Sequence, residues 1–285
     1  MDGSPSLPVL QTIARGYREV LDNIGAYSLQ ALLWAIAAGA LEYLLDDPGP
    51  DPRHLGRSAT PWAVAAHYAG PFAELIVMLL GNVAIGVSVY RALIRNELPA
   101  WRRWMRFGRR ELRFLGLSLT LFVLQYGGIL ALLLIALFGA HAIGEARWAQ
   151  RVLAVTGNSV AGQFLITVVA SALASATIVP FFGLAFPLAA IDAPASLLLR
   201  AARLGRGCRI RLGAISFLAM LPFTVASFLP SLAWTPAPGT VAFSVRDAGF
   251  ALITLLGVAF ATAAFAAAFR IVADRHSTGV YAVFD

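Results

Sequence analysis

The sequence has no lysine, a single cysteine and few charges, and each shortage excludes a class of protein. All 22 basic residues are arginines. The lone Cys208 excludes an intramolecular disulfide and a cysteine-cluster metal site. Only 13% of the 285 residues are charged and 59% are hydrophobic, whereas soluble domains have about 25% and 45–50%. Because a soluble surface needs more polar cover than this, we expect a membrane protein.

Sequence motifs of soluble chemistry are also missing. There is no phosphate-binding P-loop, no dinucleotide-binding glycine motif, no His-Glu-x-x-His zinc motif and no Gly-x-Ser-x-Gly nucleophile motif. His54 and His67 lie in an acidic, turn-rich stretch, but their spacing fits no established metal-ligand pattern. We interpret that stretch as a solvated loop. The sequence therefore predicts no catalytic residue, no metal and no cofactor, and the protein is not expected to be an enzyme.

Long apolar runs are what the sequence has in abundance. Six of them are long enough to cross a bilayer, which takes about 20 residues, and in lipid such runs must be helical. We predict an all-α polytopic bundle, one membrane domain over residues 1–285, with six transmembrane helices and two short interfacial amphipathic helices. The polar segment Met1–Asn23 is interpreted as a tail before a retained first span. The predicted spans cover residues 24–45, 72–93, 114–138, 160–191, 212–232 and 248–272.

Prolines interrupt two of the predicted spans. Pro180 and Pro187 lie in the fourth span and Pro222 lies in the fifth. A proline inside a helix removes one backbone hydrogen bond and crowds the preceding turn. We expect a kink in both spans, and we expect the last part of the fourth to run along or out of the membrane interface.

Arginine density alternates between successive connections. The connections after the second and fourth spans are rich in arginine, whereas those after the first, third and fifth spans have few. The positive-inside rule then places the arginine-rich connections and both termini in the cytoplasm of a bacterium whose inner membrane holds the chain. For a net charge of +7 distributed in this way, we expect anionic membrane lipids as partners, and no nucleic acid. A protein partner is left open.

The two arginine-rich connections resemble each other in sequence. An Arg-x-Gly-Arg motif occurs at 106–109 and again at 203–206, each after a proline and a short amphipathic stretch. We interpret both as helices in the headgroup plane with the apolar side down; in the second, Asp192 and Pro194 would start the helix and Gly205 would end it. The alternative is that both segments are ordinary basic flanks of the membrane spans. Whether spans four and five repeat spans two and three in sequence is left open. The candidate lipid-headgroup ligands are Arg102, Arg103, Arg106, Arg109, Arg110, Arg200, Arg203 and Arg206.

Ionisable residues are missing from the middle of the predicted spans. A charge there would indicate function, because burying it is costly. Glu42, Glu74 and the Arg246–Asp247 pair lie near the predicted outer ends, where we expect them to reach water. Uncharged polar residues at mid-span commonly bond between helices. The alternative interpretation is a transport path among spans two to five that includes the proline break and the candidates Asn82, Gln125 and Thr177.

Small residues mark two of the predicted helices as interior. Ala31, Ala35 and Gly39 are spaced four apart in the first span, and residues 257–265 of the sixth span are dominated by glycine and alanine. Stripes of small residues let helix backbones approach closely. We predict that both helices pack inside the bundle.

The segment from Phe181 to Pro194, which contains Pro187 and Asp192, leads into the arginine- and glycine-containing segment Leu199–Gly207. This succession resembles the membrane domain that precedes the catalytic domain of some bacterial glycerophosphodiester phosphodiesterases. It is also similar to free-standing six-helix inner-membrane proteins of bacteria. The resemblance implies a six-span membrane domain and carries no catalytic residue to this chain.

Together these patterns predict a non-catalytic inner-membrane protein that binds or organises anionic lipid. The alternative is a small-molecule transporter or channel with a polar path among spans two to five.

Overall fold

The computed structural model describes residues 7–45, 61–97, 108–120, 123, 160–191, 197–234, 236 and 240–275. These residues are almost entirely helical and contain no strand, which confirms the predicted all-α class. The helices follow in the order α1 (Val9–Leu21), α2 (Ile24–Leu45), α3 (Pro61–Arg95), α4 (109–120), α5 (Val160–Thr177), α6 (Val179–Phe182), α7 (Ala185–Ala190), α8 (Leu197–Leu204), α9 (Arg209–Ala233) and α10 (Val241–Arg275).

Within the described ranges, four stretches of helix are long and apolar enough to cross a membrane. They correspond to the predicted first, second, fifth and sixth spans, and the membrane-embedded character of the chain is confirmed at this level. The four stretches are Ile24–Leu45, Phe72–Arg95, Arg209–Pro230 and Val241–Asp274.

The remaining two predicted spans have different outcomes. Most of the predicted third span, 114–138, lies outside the described residues, and α4 holds only its beginning. The predicted fourth span, 160–191, is wrong as a single kinked helix, because the chain divides there into α5, α6 and α7. The division falls beside Pro180 and Pro187, which cannot donate the backbone hydrogen bonds that would continue a helix. By contrast, Pro222 lies inside α9 without ending it.

Helix α10 is the centre of the bundle and packs against α1, α2, α3 and α9. Its alanine-rich face, which includes Ala259, Ala263 and Ala264, is buried. At Gly257 an added Cβ would lie 2.6 Å from the Cβ of Phe223 on α9, so only glycine allows the two helices to lie this close. The prediction that the small-residue stripe of the sixth span packs inside the bundle is confirmed.

The small stripe of the first span also packs inside, against α10. Ala31 and Ala35 are buried, and a Cβ added at Gly39 would lie 3.0 Å from both the Cβ of Ala248 and the carbonyl oxygen of Ser244. The end of α2 therefore lies beside the beginning of α10. A Cβ added at Gly81 of α3 would meet both Trp34 of α2 and Leu255 of α10, so an earlier residue of α2 lies level with a later residue of α10, and the two helices run antiparallel.

The bundle has two chemically different ends. Helices α3 and α10 finish, and α9 begins, at the end that we call the basic end; it carries Arg91, Arg95, Arg209, Arg211 and Arg270. At the opposite end, called the acidic end, Glu74 on α3 interacts electrostatically with Arg246 and Asp247 on α10. The described arginines of the two connections that are rich in arginine in the sequence thus lie at one end of the bundle in the structure. Which end faces the cytoplasm stays a prediction from the positive-inside rule.

Helix α1 corrects the interpretation of Met1–Asn23 as a polar tail. Its buried positions Thr12, Gly16 and Val20 recur every fourth residue, as on one face of a helix. Two of the three are polar or lack a side chain, so the hydrophobicity of the segment does not reveal that it packs. At Gly16 an added Cβ would lie 2.5 Å from the backbone nitrogen of Ala264, so α1 lies directly on the backbone of α10.

Two polar contacts hold α1 at the basic end. The hydroxyl of Tyr17 donates a hydrogen bond to the carbonyl oxygen of Ala219 at 2.6 Å, and burial raises the pKa of this tyrosine above its ordinary value. The carboxylate of Glu19 accepts a hydrogen bond from Arg270 at 3.3 Å. Helix α1 is therefore a third amphipathic helix beside the two that the sequence predicts.

Candidate functional site

A groove of about 520 Å³ opens between α5, α6 and the first half of α9. Helix α5 contributes Ala172, Ser175 and Ala176, α6 contributes Pro180 and Phe181, and α9 contributes five residues between Arg209 and Phe217. All of these residues are apolar except Ser175 and Arg209. The groove is therefore lined by apolar side chains, with the positive charge of Arg209 at the basic end of the bundle.

Local sequence explains why the groove forms here. Helix α5 ends at Thr177, whose hydroxyl donates to the carbonyl oxygen of Leu173 at 2.6 Å, and Pro180 follows in the first turn of α6. On the facing helix, a Cβ added at Gly213 would collide with the carbonyl oxygen of Ser175. The two helices touch at this glycine, and the chain turns away at the proline. The groove runs alongside this contact, from Pro180 and Arg209 at one end to Ala172 and Phe217 at the other.

Arg209 is fixed over an aromatic ring, and no described carboxylate pairs with it. Its guanidinium carbon lies 4.3 Å from the ring centroid of Phe181, a cation–π geometry. Its Nε is buried and has no hydrogen-bond partner among the described residues. Three other partly buried arginines of the described chain contact a carboxylate: Arg91 contacts Glu97, Arg246 contacts Asp247 and Arg270 contacts Glu19.

The lipid-headgroup candidates of the second arginine-rich connection lie around α8, near the groove. Ala201 and Leu204 of α8 are buried, whereas Arg203 and Arg206 are exposed and Arg200 is partly buried. The helix ends at Leu204, directly before Gly205, as predicted; the predicted start at Asp192 and Pro194 lies outside the described residues. Helix α8 packs against α6 and α7, so its exposed arginines and Arg209 belong to the same end of the bundle.

The candidates of the first arginine-rich connection are only partly described. Arg109 is exposed and Arg110 is partly buried in the first turn of α4. Arg102, Arg103 and Arg106 lie outside the described residues, as does the predicted amphipathic stretch before them. The possible repeat between the two connections therefore stays a prediction.

The intramembrane polar candidates do not come together in the groove. Thr177 is exposed and bonds to its own helix, and Asn82 lies on α3, which contributes nothing to the groove lining. The side-chain oxygen of Asn82 is buried without a hydrogen-bond partner among the described residues. Gln125 lies outside them. Thr224 also bonds within its own helix, to the carbonyl oxygen of Met220 at 3.2 Å, so neither threonine uses its hydroxyl for the hydrogen bond between helices that is common for polar residues at mid-span.

The charged residues of the acidic end are drawn into the bundle more than the sequence suggests. Glu42 is only 5% exposed, so the expectation that it reaches water is wrong. The close approach of α2 and α10 at Gly39, less than one turn before, carries Glu42 inward. Arg246 donates to Asp247 at 2.7 Å, and its guanidinium lies 4.3 Å from the ring centroid of Phe243. The acidic end thus supplies a carboxylate partner to its own arginine.

Sequence reasoning missed Arg209 and the packing of α1. Arg209 was one of many arginines in its connection, and its neighbour Phe181 is 28 residues away in the sequence. A preceding helix break at Pro180 was visible, but it does not show which later arginine would meet it. For the described residues, no group of three or more His, Cys, Asp or Glu side chains could hold a metal ion.

Comparison with known proteins gives no match to a family model, to a curated protein or to a solved structure. The resemblance to the membrane domain associated with phosphodiesterases therefore stays an expectation from the segment Phe181–Gly207.

Proposed function

We propose that this chain is a non-catalytic, multi-pass protein of the bacterial cytoplasmic membrane that binds anionic lipid at its basic end. The observation that carries the proposal is the contrast in charge between the two ends of one apolar bundle. The basic end presents exposed arginines on α8 and after it, and a partly buried Arg209 beside them. The acidic end pairs its arginine internally.

The position of these arginines fits the headgroup level of a bilayer. Arg209 is the first residue of the apolar stretch Arg209–Pro230, whose 22 residues extend about 33 Å as a helix, close to the thickness of a bilayer core. Arginines at the end of such a stretch lie where lipid phosphates are. Each one near an anionic surface contributes about 1 kcal/mol of attraction.

Helix α8 has the division of faces that a membrane-surface helix needs. Ala201 and Leu204 face the protein and are buried, while Leu198 and Leu199 are 42% and 56% exposed, beside the arginines. Apolar and cationic side chains on one exposed surface suit the boundary between acyl chains and phosphates. The positive-inside rule places this surface in the cytoplasm.

The test is the lipid preference of the purified full chain. Reconstitution into nanodiscs of phosphatidylcholine alone, or with phosphatidylglycerol or cardiolipin, should show enrichment of the anionic lipid around the protein in recovered-lipid mass spectrometry. The double variant Arg203→Gln/Arg206→Gln should reduce the enrichment, because it removes two exposed positive charges. It should still fold, because neither side chain makes a contact within the described residues that holds the structure together. Asp274→Asn, which removes an exposed negative charge at the same end, should increase it. Equal recovery of neutral and anionic lipid by the wild-type protein would reject the proposal.

A second candidate, a transporter or channel, is favoured by one observation: Pro180 and the end of α5 line the groove. Broken helices in transporters expose backbone groups to substrate. Asn82→Leu separates the two candidates. A transport path through α3 predicts that solute flux in proteoliposomes falls in this variant, whereas lipid binding at the basic end predicts an unchanged lipid preference.

A further inference from the structure

We propose that the groove between α5, α6 and α9 is a specific site for one anionic phospholipid, whose phosphate binds Arg209 and whose acyl chain lies along α9 towards Phe217. The inference deepens the proposed function by naming the site and rests on it. It concerns a single bound lipid, which is distinct from the diffuse attraction of lipids to the exposed arginines of α8.

Charge complementarity identifies the head of the ligand. Three other partly buried arginines of the described chain are each accompanied by a carboxylate: Glu97 contacts Arg91, Asp247 contacts Arg246 and Glu19 contacts Arg270. Arg209 has an aromatic ring in that position. A cation–π contact orients a guanidinium without neutralising it, so the anion that completes Arg209 must come from outside the described residues. A phosphate matches the fork of guanidinium donors.

The shape and chemistry of the groove identify the tail of the ligand. From Arg209 to Phe217 the lining follows α9 over about 12 Å of helix, against about 15 Å for half of a bilayer core. Below Arg209 the lining is apolar apart from Ser175. Inorganic phosphate would neutralise Arg209 and leave this apolar wall uncovered, whereas an acyl chain covers it.

The volume of the groove and the exposed apolar residue at its rim also suit a lipid. Its volume of about 520 Å³ lies within the range of small-molecule sites, about 300–1,000 Å³. That volume accommodates a phosphate and one acyl chain, so the second chain stays in the surrounding bilayer. Ile210 at the rim is 88% exposed and provides apolar surface for such a second chain.

The experiment measures lipid retained by the full-length protein after delipidation in detergent, by native mass spectrometry, with phosphatidylglycerol or phosphatidylcholine added back. The wild-type protein should retain one phosphatidylglycerol and discriminate against phosphatidylcholine. Arg209→Gln should reduce that retention roughly tenfold, the effect of losing one charge-assisted contact. Ala176→Phe, at an exposed position of the lining, should reduce it by occupying the groove. Arg211→Gln, two residues further on α9 and exposed, is the matched control and should retain lipid as the wild type does.

Two further measurements make the outcome decisive. A phosphatidylglycerol with a photoactivatable acyl chain should crosslink to α5 or to residues 210–217 of α9, and millimolar inorganic phosphate should not displace it. Circular dichroism and melting temperature show whether each variant is folded. If Ala176→Phe does not fold, Arg209→Gln alone is enough to test the site. Retention that is equal in wild type and Arg209→Gln, crosslinks confined to other helices, or equal retention of both lipids would overturn the site.

The failure of this site and the failure of the proposed function give different results. If anionic lipid is enriched in nanodiscs and Arg203→Gln/Arg206→Gln reduces it, while Arg209→Gln retains lipid normally, the function stands and the groove is not its site. If the nanodiscs show no enrichment but one lipid is retained through Arg209, the groove stands and the general lipid preference is wrong.

Discussion

Arg246 at the acidic end and Arg209 at the basic end are both partly buried, and each guanidinium lies 4.3 Å from the ring centroid of a phenylalanine. They differ in what else surrounds them. Arg246 donates to the carboxylate of Asp247 and interacts with Glu74 on a neighbouring helix, whereas Arg209 faces an apolar groove. The same cation–aromatic pair therefore belongs to a neutralised cluster at one end and to an open site at the other.

This comparison separates structural arginines from candidate binding arginines in an apolar bundle. A partly buried cation is costly unless an anion accompanies it. When the chain supplies the anion, the cation contributes to the fold. When it does not, the cation is available to an anion that arrives from the lipid or the solvent.

The largest expected effect is the loss of stability in Arg246→Gln. Removing this cation leaves Asp247 and Glu74 close together without compensation, and the side chains of Arg246 and Asp247 are only 17% and 19% exposed. Because the pair is only partly buried, removing one partner should cost about 3 kcal/mol, the lower end of the range for buried pairs. The melting temperature of the protein in detergent should fall accordingly.

The matched comparison for that variant is Arg209→Gln. It loses one cation–π contact, worth about 1 kcal/mol, and leaves no carboxylate of the described chain exposed to repulsion. Its melting temperature should therefore fall less than that of Arg246→Gln. If the two variants melt at the same temperature, the distinction between a neutralised end and an open end is wrong.

The next effect concerns how α1 is held at the basic end. In Gly16→Ala the new Cβ would lie 2.5 Å from the backbone nitrogen and 2.6 Å from the Cα of Ala264, so α1 must move away from α10. Overpacking of this kind costs about 1–3 kcal/mol, and we expect a lower melting temperature together with faster proteolysis near α1.

Gly25→Ala is the control for Gly16→Ala, because it is the same substitution in the same part of the chain. Nothing lies within 4 Å of a Cβ added at Gly25, and the residue is in helix α2. Because Gly25 lies in the first turn of α2, where the effect is smaller than in a helix interior, alanine there should stabilise the helix by up to about 0.5 kcal/mol. The two substitutions should therefore shift the melting temperature in opposite directions; a shift of the same sign would mean that α1 does not lie on α10 as the structure has it.

The sequence predicts the apolar framework of this protein well because that framework depends on local pattern. Stripes such as Ala31, Ala35 and Gly39 define which face of a helix is buried, whatever its neighbour. The end of α8 before Gly205 is likewise a local consequence of glycine. These features are confirmed in the described residues, whereas the chain divides beside Pro180, where the sequence predicts a kink within one helix.

The parts that could not be predicted depend on which helices meet. The burial of Glu42 follows from the contact of Gly39 with α10, and the role of Arg209 follows from the distant Phe181. Helix α1 was missed because its contact face uses Gly16 and Thr12, which do not raise the hydrophobicity of the segment. In each case the residue or helix that makes the contact is remote in sequence, so periodicity and composition do not predict it.

The smallest expected effect is the contribution of Tyr17 to the docking of α1, and it depends on pH. In Tyr17→Phe the hydrogen bond to the carbonyl oxygen of Ala219 is lost, at a cost of about 1 kcal/mol near neutral pH. Burial raises the pKa of Tyr17 in the folded protein above its ordinary value of 10.0. Its stabilising contribution is therefore fully present below pH 10.0 and is lost as the pH rises through the folded-state pKa.

The wild-type protein should accordingly melt above Tyr17→Phe at pH 8, and the difference should shrink at pH 11, where the unfolded tyrosine is ionised and the folded one resists ionisation. Melting temperatures of both proteins in the same detergent at the two pH values measure this. Tyr43→Phe, at an exposed position near the end of α2, is the control and should follow the wild type at both values. If the gap between wild type and Tyr17→Phe stays constant or widens at high pH, the tyrosine hydroxyl does not lie buried against α9, and shape alone, through Gly16, must hold α1 at the basic end.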